Sequence, residues 1–148
     1  YEPYMEFIVN YIKEKCPNAK IMFHRTWAYS TKSGHEGFLN YDKNQEKMYN
    51  AIIEASNKAC AKYGIEIIPN GEAVQMARKL PEFDEAVRDI TRDGFHMSLD
   101  YGRYLTALVM YKYITGNDTT KVEYTPCKTD KEICKALKEI ANTVKVEN

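Results

Sequence analysis

The sequence predicts an α/β protein with parallel strands. The clearest sign is the stretch 45–63, where Met48, Ile52, Ala55, Ser56, Ala59, Cys60 and Tyr63 share one helical face. Gly64 follows, the residue type best suited to a left-handed position just past a helix end. On either side lie stretches rich in β-branched and aromatic residues, 19–27 and 65–68. Strand, helix, strand in that order is a βαβ unit, which builds a parallel sheet. The third sign is 98–115, which is apolar almost all round through Leu99, Tyr101, Tyr104, Leu105, Leu108, Val109, Met110, Tyr113 and Ile114. A helix of that kind is buried on more than one side.

Taken in order, residues 4–15 place Met5, Ile8, Val9 and Ile12 on one helical face, and Pro17 ends that helix. Residues 28–43 are polar, contain Gly34 and Gly37, and read as a long loop of the kind that often carries function. Pro69 stops the second strand, and Asn70 can cap a helix over 71–80, with Val74 and Ala77 inward. Pro81 interrupts it, and a short amphipathic turn with Phe83, Val87 and Ile90 follows. Ser98 is a fitting N-cap for the apolar helix, which Gly116 stops. After a loop at 117–128, Thr129-x-x-Glu132 has the spacing of a capping box. It opens a last helix with Ile133, Cys134, Leu137 and Ile140 on one face, and the alternating Lys and Glu of 128–145 read as its solvated side. No repeat or linker divides the chain, so residues 1–148 form a single domain.

That inventory is two parallel strands among five or six helices. Two strands make a poor sheet, since stable sheets usually have more. The chain therefore reads as the second half of a doubly wound α/β domain whose other strands lie elsewhere. It opens on Tyr1 and not on Met, which fits a C-terminal portion.

Equal numbers of acidic and basic side chains, 21 of each, argue against a nucleic-acid footprint, which needs clustered Lys and Arg. No apolar run approaches the roughly 20 residues of a membrane span. The cysteines, Cys16, Cys60, Cys127 and Cys134, form no Cys-x-x-Cys pair, so a zinc or thioredoxin-like site has little support. Cys60 reads as a small buried hydrophobe. Cys127 and Cys134 are close enough in sequence to pair in an oxidising compartment. The three histidines lack ligand spacing, so neither a metal nor any other cofactor is expected. His24 reads as structural and His35 as a solvated loop residue.

Chemistry concentrates in Arg92-Asp93-Gly94-Phe95-His96-Met97-Ser98. Gly94 permits a tight turn, from which Asp93 and His96 can point the same way. Asp93 can then accept a hydrogen bond from His96 Nδ1–H, fixing the tautomer and freeing Nε2 as a general base. The plainer reading makes Asp93 a turn residue and His96 an ordinary half-buried histidine.

The block Asp93-Gly94-x-His96-x-Ser98, continuing to Gly102-x-Tyr104, resembles the last conserved block of the SGNH (GDSL-like) hydrolases, where an Asp-x-x-His turn supplies two triad members. Tyr1-x-Pro3-Tyr4, Pro17-Asn18-Ala19-Lys20, Thr26-Trp27-Ala28-Tyr29 and Ile68-Pro69-x-Gly71-x-Ala73 are similar, in the same order, to a bacterial SGNH-hydrolase-like group of unknown function. The resemblance covers about residues 1–116. It implies a three-layer αβα, flavodoxin-like fold of which this chain supplies the C-terminal part, with the site at the carboxyl ends of parallel strands. It also implies a serine esterase of the periplasm or cell exterior, acting on an acylated carbohydrate, in which His96 is the base and Asp93 orients it.

The family's Gly-Asp-Ser or Gly-Asn-Ser motif has no counterpart here. Ser30 and Ser33 lie in a polar loop and Ser56 sits mid-helix, so the nucleophile is expected from an N-terminal segment outside this sequence, and the 148 residues alone are expected to be inactive. Trp27 and Tyr29, at a strand's carboxyl end, are candidates to bind the sugar of a carbohydrate ester; Trp27 packing the sheet end is an equal alternative. The rival function is a non-catalytic α/β module that binds a glycan or a protein partner.

Overall fold

A computed structural model describes all of residues 1–148. It is a mixed α/β structure with five α-helices and a parallel two-stranded sheet. The helices are α1 (Tyr4–Lys15), α2 (Gln45–Tyr63), α3 (Asn70–Ala77), α4 (Tyr101–Thr115) and α5 (Lys131–Thr143). Strands β1 (Met22–His24) and β2 (Glu66–Ile68) pair Met22 with Glu66, Phe23 with Ile67 and His24 with Ile68. The order β1, α2, β2 is the expected βαβ unit.

Helix α2 matches its sequence pattern at both ends. Asn44 Oδ1 accepts from Lys47 N–H at 2.8 Å, and Gly64 takes the left-handed conformation at φ 64°. Its inward face is Met48, Tyr49, Ile53, Ser56, Ala59 and Cys60. Met48, Tyr49 and Ile53 close a small core with Ala28 and Phe38. The loop at 28–43 is therefore tethered: Phe38, in a 3-10 turn at Glu36–Tyr41, is fully buried.

The larger core gathers Ile68 of β2, Val74 of α3, Leu105 and Val109 of α4, and Leu137 and Ala141 of α5. Leu105 and Leu137 are completely enclosed, each worth about 1.5–3 kcal/mol of burial. Helix α4 is buried along Tyr101, Tyr104, Leu105, Leu108 and Val109, while Tyr111 and Ile114 stay exposed; it is covered on one broad side and not all round.

Several expectations need correction. The strand expected over 19–27 spans only Met22–His24, because its partner β2 offers three residues to pair with. Helix α3 ends at Ala77, and Asn70 does not cap it: its side chain is fully buried with both amide atoms unpartnered. Val87 and Leu99 point outward, 86% and 64% exposed, because the segment around Val87 forms no helix and Leu99 precedes the first turn of α4. The N-cap of α4 is Asp100, whose Oδ1 accepts from Tyr101 N–H at 2.7 Å; Ser98 Oγ instead accepts from Gly102 N–H at 2.9 Å. Asp130 caps α5, accepting from Glu132 and Ile133 N–H, while Thr129 Oγ1 donates to Pro126 O. Cys127 and Cys134 are not bonded: Cys134 lies on the buried face of α5, with Sγ 3.3 Å from Thr129 Oγ1, and Cys127 is exposed.

Candidate active site

The turn at 93–96 is built from its own backbone outward. Asp93 Oδ1 accepts from the backbone N–H of Phe95 at 3.2 Å and of His96 at 2.8 Å. Those two bonds close an Asx-type turn. Gly94 sits at φ 90°, where L side chains are strained, and an added Cβ would lie 2.7 Å from Ser33 Cα. Behind the turn, Thr91 and Met97 form an isolated antiparallel bridge, Arg92 N–H donates to His96 O at 2.9 Å, and Ser98 N–H donates to Ile90 O at 3.0 Å. Ile90 and Met97 anchor that base in the larger core.

Asp93 Oδ2 lies 2.8 Å from His96 Nδ1. Hydrogen bonding from the His96 ring, then from its backbone N–H, holds the Asp93 carboxyl at about 2, against an ordinary 3.8. An ionised carboxylate only accepts, so Nδ1 is the donor and the lone pair of the neutral ring resides on Nε2. The His96 side chain is 55% exposed and that of Asp93 40%, so the couple stands at the surface. Arg92 Nε lies 3.7 Å from the same carboxylate oxygen.

The segment leaving β1 carries the turn. Trp27 Nε1–H donates to Phe95 O at 2.7 Å, and Ser30 N–H donates to Gly94 O at 2.8 Å. Tyr29 places its ring 5.7 Å from Phe95 and 5.0 Å from His35. His35 also packs edge-on against Phe95 at 5.0 Å, and Phe95 lies 4.1 Å from the ring of His96. Asp93, His96, Trp27 and Tyr29 thus meet at one place beyond the carboxyl end of β1. His35 joins them: it is exposed, yet it is held by these rings, and its Nδ1 accepts from Gly37 N–H at 3.0 Å. It is the solvated loop residue the sequence suggested, but its packing against Tyr29 and Phe95 left no signal in the sequence. His24 stands on the exposed side of β1, its ring 6.0 Å from Trp27.

None of the four serines is hydrogen-bonded to His96. Ser56 Oγ is enclosed, donating to Ile52 O and accepting from Arg25 Nε, and Ser30, Ser33 and Ser98 Oγ accept backbone N–H groups of their own segments. No group of three His, Cys, Asp or Glu side chains is gathered to hold a metal ion. A groove of 690 Å³ between α4 and residues 122–126 begins at Leu99 and contains neither Asp93 nor His96. No helix is long and apolar enough to cross a membrane.

Residues 1–144 match the family model described as a domain of unknown function, DUF4886. The chain belongs to the DUF4886 family. The crystal structure of a DUF4886 family protein from Bacteroides uniformis ATCC 8492 superposes with a TM-score of 0.82 at 39% sequence identity, over 91% of this chain and 51% of the other. This DUF4886 chain thus spans about half the length of that relative. No curated protein matches it.

Proposed function

We propose that Asp93 and His96 are the acid–base half of an SGNH-type serine esterase acting on the ester of an acylated carbohydrate. The observation that carries this reading is the 2.8 Å contact from Asp93 Oδ2 to His96 Nδ1, on an exposed turn whose Gly94 and Phe95 carbonyls are both held by the segment leaving β1. In that chemistry Nε2 takes the proton of an attacking hydroxyl and returns it to the leaving alcohol, while Asp93 stabilises the imidazolium. The location of the turn, beyond the carboxyl end of a parallel strand, is where open α/β sheets place their sites.

The attacking serine and the donors for the oxyanion belong, in this reading, to polypeptide outside the 148 residues, completing a three-layer αβα sandwich. Two features support it. The relative from Bacteroides uniformis is about twice as long. Helix α1 and β1 present a 480 Å³ hollow lined only by apolar side chains, among them Tyr4, Met5, Ile8, Phe23 and Ile65, while β1 pairs only with β2. Further strands laid beside β1 would cover that face.

The test is hydrolysis of p-nitrophenyl acetate by this chain co-folded with the unshared half of the relative. The chain alone is expected to be inactive. The reconstituted protein is expected to turn over and to lose roughly 10⁴-fold in kcat with Asp93→Asn and at least as much with His96→Ala. Turnover that survives His96→Ala would overturn the reading. A folded complex with no turnover but with glycan or protein binding would establish the rival, a non-catalytic module.

A further inference from the structure

We infer that Trp27 is a positioning residue for the Asp93–His96 couple, acting through the hydrogen bond from its indole N–H to the Phe95 carbonyl, and that it is not a sugar-stacking platform. The inference deepens the esterase reading and rests on it for the couple's catalytic meaning. The geometry stands without it. Phe95 is the residue between the turn's glycine and its histidine, and its own N–H is bound to Asp93 Oδ1. Its carbonyl therefore sets the plane of the peptide that delivers the His96 N–H to the same carboxylate oxygen. Trp27 grips that carbonyl at 2.7 Å from 68 residues away in sequence. Ser30 N–H holds the preceding carbonyl, that of Gly94, at 2.8 Å. Two successive peptide planes are thus tied to the segment that leaves β1, and the carboxylate meets Nδ1 only while both hold.

The indole is unsuited to a second task. It is partly buried, packs against the larger core, and uses its one donor inside the protein. A ring that stacks on sugar needs a free face toward solvent, and Tyr29 and Phe95 are fixed against one another and against His35 instead.

Trp27 is the only tryptophan in the chain, so an isostere can be placed there by global replacement. In the full chain, Trp27 is exchanged for 3-benzothienylalanine, which keeps the bicyclic shape and carries sulfur where the N–H was; Trp27→Phe is the genetic counterpart. The readout is the tautomer of His96 from its ring ¹⁵N shifts above the imidazole titration, with amide hydrogen exchange of Phe95 and His96. Expected is a Nδ1–H tautomer in the parent and loss of that preference in both variants, with exchange at the two amides faster by about fivefold, the weight of one ordinary hydrogen bond. An unchanged tautomer in a folded variant would overturn the proposal, whether thermal stability falls or not, because a merely structural tryptophan lowers the unfolding midpoint and leaves the ring's proton in place. Weaker carbohydrate binding with an unchanged tautomer would restore the stacking role. If Trp27→Phe fails to fold, the isostere decides. None of these readouts involves ester cleavage, so an inactive reconstituted enzyme would defeat the esterase reading and leave this inference standing or falling by itself.

Discussion

At the residue scale, the Asp93 carboxylate accepts three hydrogen bonds, from the backbone N–H of Phe95, the backbone N–H of His96 and the His96 ring. Its carboxyl is held at about 2, first by the His96 ring and then by the His96 backbone N–H. The sign follows from linkage: a depressed folded value means the contribution is complete above the ordinary 3.8 and fades as pH falls through about 2. A carboxyl ¹³C titration of Asp93 is expected to show a midpoint near 2 in the parent and a rise toward the ordinary value in His96→Ala. Gly94 makes a second prediction. Alanine there meets Ser33 Cα and a backbone at φ 90°, so Gly94→Ala should cost more than about 1 kcal/mol in denaturant unfolding, and it should loosen residues 30–35 from the turn. The Asp-x-x-His spacing and the glycine between were legible in the sequence because all their bonds close within four residues. Trp27, Ser30 and His35 were not legible as partners of that turn, since nothing near residue 27 indicates which distant carbonyl its indole will find.

At the element scale, helix ends were read more reliably at their glycines than at their caps. Gly64 and Gly116 stop α2 and α4 in the left-handed conformation, at φ 64° and 74°, as their positions suggested. The caps of α4 and α5 lie two residues and one residue later than the Ser98 and Thr129 signals implied, where Asp100 and Asp130 offer a charged acceptor. Asp130→Ala is therefore expected to destabilise the protein by about 1 kcal/mol, whereas Glu132→Ala should stay within about 0.5 kcal/mol, measured as shifts of the urea midpoint at constant slope. The reverse order would reinstate the capping box. Helix α1 has the opposite character: its bounds match the periodicity, yet on the face read as apolar only Val9 is buried, Met5 and Ile12 are half-buried and Ile8 is exposed, and Tyr4, Phe7 and Tyr11 are exposed as well. Periodicity identifies an apolar face but not what covers it.

At the scale of the whole molecule, one buried ion pair ties the parts together. Arg25, just past β1, is fully enclosed and is bonded to Glu72 of α3, to Ser56 and Asn57 of α2, and to the Glu147 carbonyl near the C-terminus. Glu72 Oε1 also accepts from Glu147 N–H at 3.2 Å. Removing one partner strands a charge in the interior, so Glu72→Ala should cost about 3–5 kcal/mol, while the double replacement Arg25→Met with Glu72→Leu should recover much of it, both read from thermal or denaturant unfolding. Sequence reading passed over this network, since an arginine inside a strand pattern and a glutamate inside a helix pattern each look like solvent-facing residues. By itself the sequence determined the α/β class, the βαβ order, the span of α2 and the pairing of an aspartate with a histidine on one turn. All of these depend on side-chain period and on bonds between near neighbours. Only the tertiary structure decided that the turn hangs from the end of β1, that Arg25 is enclosed, that Cys127 and Cys134 are not bonded, and that α1 leaves Tyr4, Phe7, Ile8 and Tyr11 exposed. Those outcomes depend on which distant surfaces meet, and a contact across 68 residues leaves no local trace in the chain that forms it.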